Sequence, residues 1–147
     1  MKKWIVLSSF IMLSMLLALI SGQPASAAPQ LQAGSLVVSP TAAAQSGVPG
    51  NLVQYTLTVT NNGAAEALVN TSISGNAWVT SAAPNQLTLA AGAQGNLTVS
   101  VAVPGNASPG SSDVATITFV SGLDASSATA ILTTTVVSPT VTAQPAS

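Results

Sequence analysis

Three carboxylates, Glu66, Asp113 and Asp124, are the only side chains charged at neutral pH between residues 28 and 147, a stretch without Lys, Arg, His, Cys or Met. A pair such as Glu66 and Asp113 can in principle divide general acid and base work, as two carboxylates do in glycoside hydrolysis. Nothing else in the stretch can activate a serine, hold a phosphate or stabilise an oxyanion by charge. The expectation is therefore a non-enzyme with no catalytic residues, its carboxylates being solvated turn residues. Asp113 and Asp124, with carbonyls from the Ser108-Pro109-Gly110 and Gly122-Leu123-Asp124 loops, offer oxygens of the kind calcium takes. Calcium sites usually gather more carboxylates than this, so no metal and no cofactor are expected. Trp78 could stack on a sugar ring, but it has no evident aromatic partner, and the centre of a β-sandwich suits it better. Tyr55 and Phe119, at alternating positions, are assigned to the same core.

The charge balance narrows the partners. Residues 28–147 carry about three negative side-chain charges and no positive ones at neutral pH. Nucleic acid is excluded as a partner, because nothing can neutralise phosphates. Both lysines, Lys2 and Lys3, stand at the head of an apolar run from Trp4 to Ile20, closed by Gly22, Pro24 and the small residues Ala25-Ser26-Ala27. That order reads as a cleavable secretory signal over residues 1–27. No second apolar segment follows it, so no transmembrane anchor is expected after cleavage. Without cysteine there is no disulfide framework and no thiolate metal site. The triplets at Asn70, Asn96 and Asn106 match the glycosylation sequon and are read as chance in an Asn-, Ser- and Thr-rich chain.

The elements that must position these residues are strands. Short runs of Val, Leu, Ile and Thr are separated by clusters of Gly, Pro, Asn, Asp and Ser, the pattern of an all-β domain. Strands are expected at 34–39, 52–60, 68–74, 77–80 (carrying Trp78), 86–89, 96–103, 114–121 and 128–137. Val53, Tyr55, Leu57 and Val59 alternate with Gln54, Thr56, Thr58 and Thr60, so one face meets a core and the other water. Leu97, Val99, Val101 and Val103, and Ala115, Ile117 and Phe119, point inward on the same rule. Asn61-Asn62-Gly63 supplies a tight turn, and 107–113 reads as a loop. Seven or eight strands at this spacing predict an Ig-like or fibronectin-like antiparallel β-sandwich. The expected layout is a signal peptide at 1–27, a linker at 28–33, the sandwich at 34–137 and a disordered Pro/Thr tail at 138–147. The start of a longer linker, or a strand held for a neighbour, are the alternatives for that tail.

The order and spacing of several short pieces carry a family resemblance over about residues 47–136. They are Gly50, Tyr55 through Gly63, Asn76-Ala77-Trp78, Leu89-Ala90-Ala91-Gly92, Val101 through Pro104, and Ala107 through Gly110 leading into Asp113. Together they resemble the Ig-like accessory domains, of NPCBM-associated or α-galactosidase-associated type, found beside glycosidase catalytic domains and in bacterial surface proteins. The strand ending in Thr60-Asn61-Asn62-Gly63 is also similar to the tandem conserved-repeat β-domains of bacterial adhesins. Both resemblances imply an Ig-like sandwich without catalysis. The expected function is a non-catalytic, exported structural or assembly component of the cell envelope or extracellular matrix. Its expected partners are other envelope or extracellular proteins, its own copies included. The alternative is a secreted module binding glycan or a partner protein. Extracellular space or cell surface is the expected location, with a periplasm left open.

Overall fold

The structure, a computed structural model, describes residues 36–139. The expected leader, the linker at 28–33 and the tail from residue 140 lie outside those residues. Nine strands make up the described part: β1 Leu36–Ser39, β2 Ala42–Gly47, β3 Leu52–Asn61, β4 Ala67–Ser74, β5 Val79–Ala83, β6 Gln86–Leu89, β7 Gln94–Ala102, β8 Ser112–Ser121 and β9 Ser127–Val136. They form two sheets, in the orders β1-β3-β7-β5 and β2-β9-β8-β4-β6. This is the all-β, Ig-like sandwich expected, with one strand more than the seven or eight counted from the sequence.

Alternation builds the core. Tyr55 pairs with Val99 and Leu57 with Leu97 on the inner face of the four-stranded sheet. Ala115 pairs with Leu132 and Ile117 with Ala130 on the inner face of the other. Leu57, Val59, Val69, Val99, Ile117, Phe119 and Ala130 have no measurable exposure. Each buried Leu, Val, Ile or Phe side chain contributes roughly 1.5–3 kcal/mol of apolar transfer, so the inward rows are what hold the two layers together.

The strand that sequence reading missed is β2. Its residues, Ala-Ala-Ala-Gln-Ser-Gly, contain none of the β-branched or aromatic types that mark strands. It exists because β9 offers a partner: Ala42 to Gly47 pair in parallel with Ile131 to Val136. The chain reaches it by leaving the other sheet after β1, and Pro40 occupies the crossing. A second crossing, from β5 to β6, carries Pro84. Proline lacks the N–H that a ladder needs, so it suits a point where one ladder ends and another begins. Gly47 closes β2 where no side chain fits, since a Cβ there would lie 2.5 Å from Val53 Cγ2 and 3.0 Å from Val103 Cγ2.

Two expectations need correcting. Residue 78 does not lie on a strand, because β5 begins at Val79 and Trp78 sits in the loop before it. Asp113 is not in a loop either; it is the second residue of β8 and is 6% exposed.

Candidate functional site

Asp113 ties the start of β8 to the loop that precedes β5. Ala77 N donates to Asp113 Oδ1 at 2.7 Å, and Trp78 N donates to Asp113 Oδ2 at 3.3 Å. Asn76 Nδ2 donates to the Trp78 carbonyl at 2.8 Å, and Thr80 Oγ1 donates to the same oxygen at 3.2 Å. Gly75, with φ of 77°, turns the chain out of β4 into this loop. The carboxylate thus satisfies two amides that no strand partner reaches, and it holds Trp78 against the core. Trp78 itself is partly buried and packs against the core. Tyr55 and Phe119 are fully enclosed.

The carboxylates do not converge. β8 is extended at about 3.3 Å per residue, so Asp113 and the turn after Ser121 lie roughly 30 Å apart. Pairing of Val69 with Ser121 places Glu66 at the same end as Asp124, far from Asp113. Neither the Glu66–Asp113 pair nor the Asp113–Asp124 calcium arrangement is therefore formed. Glycosidase carboxyls stand about 5–9.5 Å apart, several times closer than this pair. Asp124 Oδ1 accepts hydrogen bonds from Ser126 N at 3.1 Å and Ser126 Oγ at 2.7 Å, which closes the β8–β9 turn. Glu66 is exposed between β3 and β4. Among the described residues no group of three or more His, Cys, Asp or Glu side chains could hold a metal.

Two neutral polar side chains carry more structure than their sequence positions announce. The Tyr55 hydroxyl donates to the Thr133 carbonyl at 2.7 Å, and its 2.8 Å contact with Thr134 Oγ1 is then donated by the threonine. This joins β3 to β9 across the core. Asn61, read from sequence as a turn residue, is 1% exposed. Its Nδ2 donates to the carbonyls of Ala65, Leu89 and Ala90, and its Oδ1 accepts from Gly63 N. The Asn-Asn-Gly signal located the turn, but only the fold reveals the carbonyls that Asn61 satisfies.

Among the described residues, both outward sheet faces are uncharged. The four-stranded sheet presents Gln54, Thr56, Thr58, Asn96, Thr98 and Ser100 at its centre. The five-stranded sheet presents Thr116, Thr118, Thr129, Ile131 and Thr133. Glu66, Asp113 and Asp124 belong to neither outward set. An open groove of about 610 Å³ separates the free edge of β2 from the first half of β3. Gln45 Nε2 spans it to the Gln54 carbonyl at 2.8 Å.

No family model and no curated protein sequence matches the chain. Solved structures do match. A PapD-like domain of human CEP192 superposes with a TM-score of 0.59 at 9% identity, covering 82% of this chain and 97% of that one. The shared feature is the Ig-like sandwich. A family 123 glycoside hydrolase from Clostridium perfringens matches with a TM-score of 0.56 at 12% identity, over 67% of this chain and 23% of the hydrolase. The Salmonella enterica structure of SafA pilin in complex with the SafB chaperone matches with a TM-score of 0.54 at 19% identity, over 78% of this chain and 59% of that one. Against the hydrolase the chain spans less than a quarter of the matched length, so that similarity is to one Ig-like portion of a larger enzyme.

Proposed function

We propose that this chain is a non-catalytic, exported Ig-like building block that works by contact with other proteins of the envelope or extracellular matrix, its own copies included. One observation carries the reading: both outward sheet faces are free of ionisable side chains, while Asp113 and Asp124 serve backbone and turn geometry. Charged faces keep molecules apart, and uncharged ones with Thr, Ser and Asn permit close packing. The likeness to a pilin–chaperone structure supports a protein partner, and the leader-like residues 1–27 support export. In this reading residues 1–27 are removed and the sandwich expected over 34–137 is the working part. No helix among the described residues is long and apolar enough to cross a membrane. Fractionation of the native host tests the proposal: the mature protein is expected in high-mass envelope or matrix material, and recovery solely as a free monomer in the medium would refute it.

The partly exposed side chain of Trp78, together with the resemblance to accessory domains beside glycosidases, favours a second reading as a glycan-binding module. Trp78 emission is then expected to shift on addition of the cognate sugar. An empty glycan array and a constant spectrum would eliminate this version.

A further inference from the structure

Both outward faces expose large apolar side chains; on the four-stranded sheet these are Val37 at 47%, Leu52 at 64% and Val79 at 78%. Four large apolar side chains stand exposed on the five-stranded sheet: Leu68 at 44%, Val114 at 44%, Val120 at 38% and Ile131 at 49%. They form two clusters. Val114 pairs with Thr133, and Thr116 with Ile131, so Val114 and Ile131 are diagonal neighbours. Ala42 and Ala44 of β2 adjoin them, opposite Ile131 and Thr133. At the far end Val120 pairs with Asn70, one step diagonally from Leu68. Between the clusters runs a band of Thr118, Thr129 and Ser72.

Area separates this face from its counterpart. Strands of 6, 10, 10, 8 and 4 residues at about 4.8 Å spacing and 3.3 Å rise cover roughly 600 Å² per copy. Two such faces bury about 1,200 Å², the lower bound for a specific interface. Strands of 4, 10, 9 and 5 residues give the other sheet only about 900 Å² for a pair on the same spacings, short of what a stable contact requires.

We propose that the outward face of the five-stranded sheet is a homodimer interface, on which a second copy of this chain stacks sheet to sheet. The proposal rests on the contact reading above and names its surface and partner. The face carries no ionisable side chain, so two identical faces meet without like-charge repulsion, and a charged partner finds nothing there to pair with. It is also self-complementary. A two-fold axis in the plane of the face seats the Val114–Ile131 cluster of one copy over the Leu68–Val120 cluster of the other, and the reverse, as an isologous contact demands. Aligned stacking of two twisted sheets at about 30° is an ordinary packing geometry.

Sedimentation velocity on the full chain recovered from its host, from about 1 µM to 1 mM, tests this. A reversible dimer is expected. Ile131→Glu and Val120→Glu, one in each cluster, should each weaken it at least tenfold with an unchanged thermal melt at concentrations where wild type and variants are all monomeric, and Val79→Glu on the other sheet should leave it intact. Methyl NMR on dilution asks the same of the unsubstituted protein: Val114 and Ile131 signals move and Val79 signals stay. A wild-type chain monomeric to 1 mM overturns the proposal, as does a dimer that Val79→Glu alone disrupts. If the chain is monomeric when pure yet found in high-mass host material, self-stacking fails and the broader contact reading stands. If it is a free monomer in both, both fail.

Discussion

Replacing Asp113 reports directly on the carboxylate that ties β8 to the loop before β5. In Asp113→Ala the amides of Ala77 and Trp78 lose their acceptor. Hydrogen bonds to a charged group contribute about 1.5–3 kcal/mol each. The 2.7 Å bond from Ala77 N should lie near the upper figure, and the 3.3 Å bond from Trp78 N near the lower one or below it. The loop is part-buried, so water recovers some of the loss. A net cost of about 2–4 kcal/mol follows. At roughly 4 °C per kcal/mol for a domain of this size, the melting temperature should fall by about 8–16 °C. Asp113→Asn retains one acceptor oxygen but turns an NH₂ group toward the second amide, so about half that loss is expected. Trp78 is the only tryptophan after residue 27. Its emission in the chain from Ala28 onward therefore reads the loop itself, and a red shift should accompany the lost stability. Urea melts of the three proteins, followed by Trp78 emission and by far-ultraviolet circular dichroism, make the measurement. An Asp113→Ala protein with the wild-type midpoint and emission maximum would refute the clamp.

Other substitutions probe the remaining contacts. Asn61→Asp should be destabilising because a carboxylate cannot donate to the carbonyls of Ala65, Leu89 and Ala90. Burial beside those oxygens raises the folded-state pKa of the new acid above its unfolded value, so its stability should fall as pH rises from about 4 to 7, a slope that melts of wild type and variant at both pH values would reveal. Gly47→Ala should cost about 1–3 kcal/mol by overpacking against Val53 and Val103, read as a lower urea midpoint. Thr71 Oγ1 is buried without a hydrogen-bond partner, so Thr71→Val should leave stability unchanged or raise it by up to about 1 kcal/mol, read in the same melts.

Legibility followed alternation. Where Val, Leu, Ile, Tyr and Phe alternate with Thr and Gln, as in β3, β7 and β8, the sequence assigned both the strand and its inward face correctly, because burial of one side is a local pattern. β2 escaped because its strand character belongs to β9, which supplies the pairing that Ala42 to Gly47 do not signal themselves. Asp113 and Trp78 were misplaced for a related reason. An aspartate beside a Ser-Ser pair resembles a turn, and its acceptor role depends on amides 35 and 36 positions away in sequence. The scarcity of charge is legible in the composition, but which faces are uncharged depends on the register.

That register also bears on how the chain protects its sheet edges. Lysine on an edge strand is a common guard against unwanted pairing, and residues 28–147 contain none. The edges here are short: β1 and β6 have four residues, β5 has five and β2 has six. Pro40 follows β1, and Pro84 separates β5 from β6, so three of the four edges end at or next to a residue that cannot extend a ladder. Short, proline-bounded edges offer few backbone bonds to a neighbour, whereas β8 and β9, the longest strands of their sheet, place their outward side chains on the broad face. Association across the face therefore has more area to gain than association along an edge. A chain without edge lysines can in this way remain discrete along its edges while staying open to stacking through one surface.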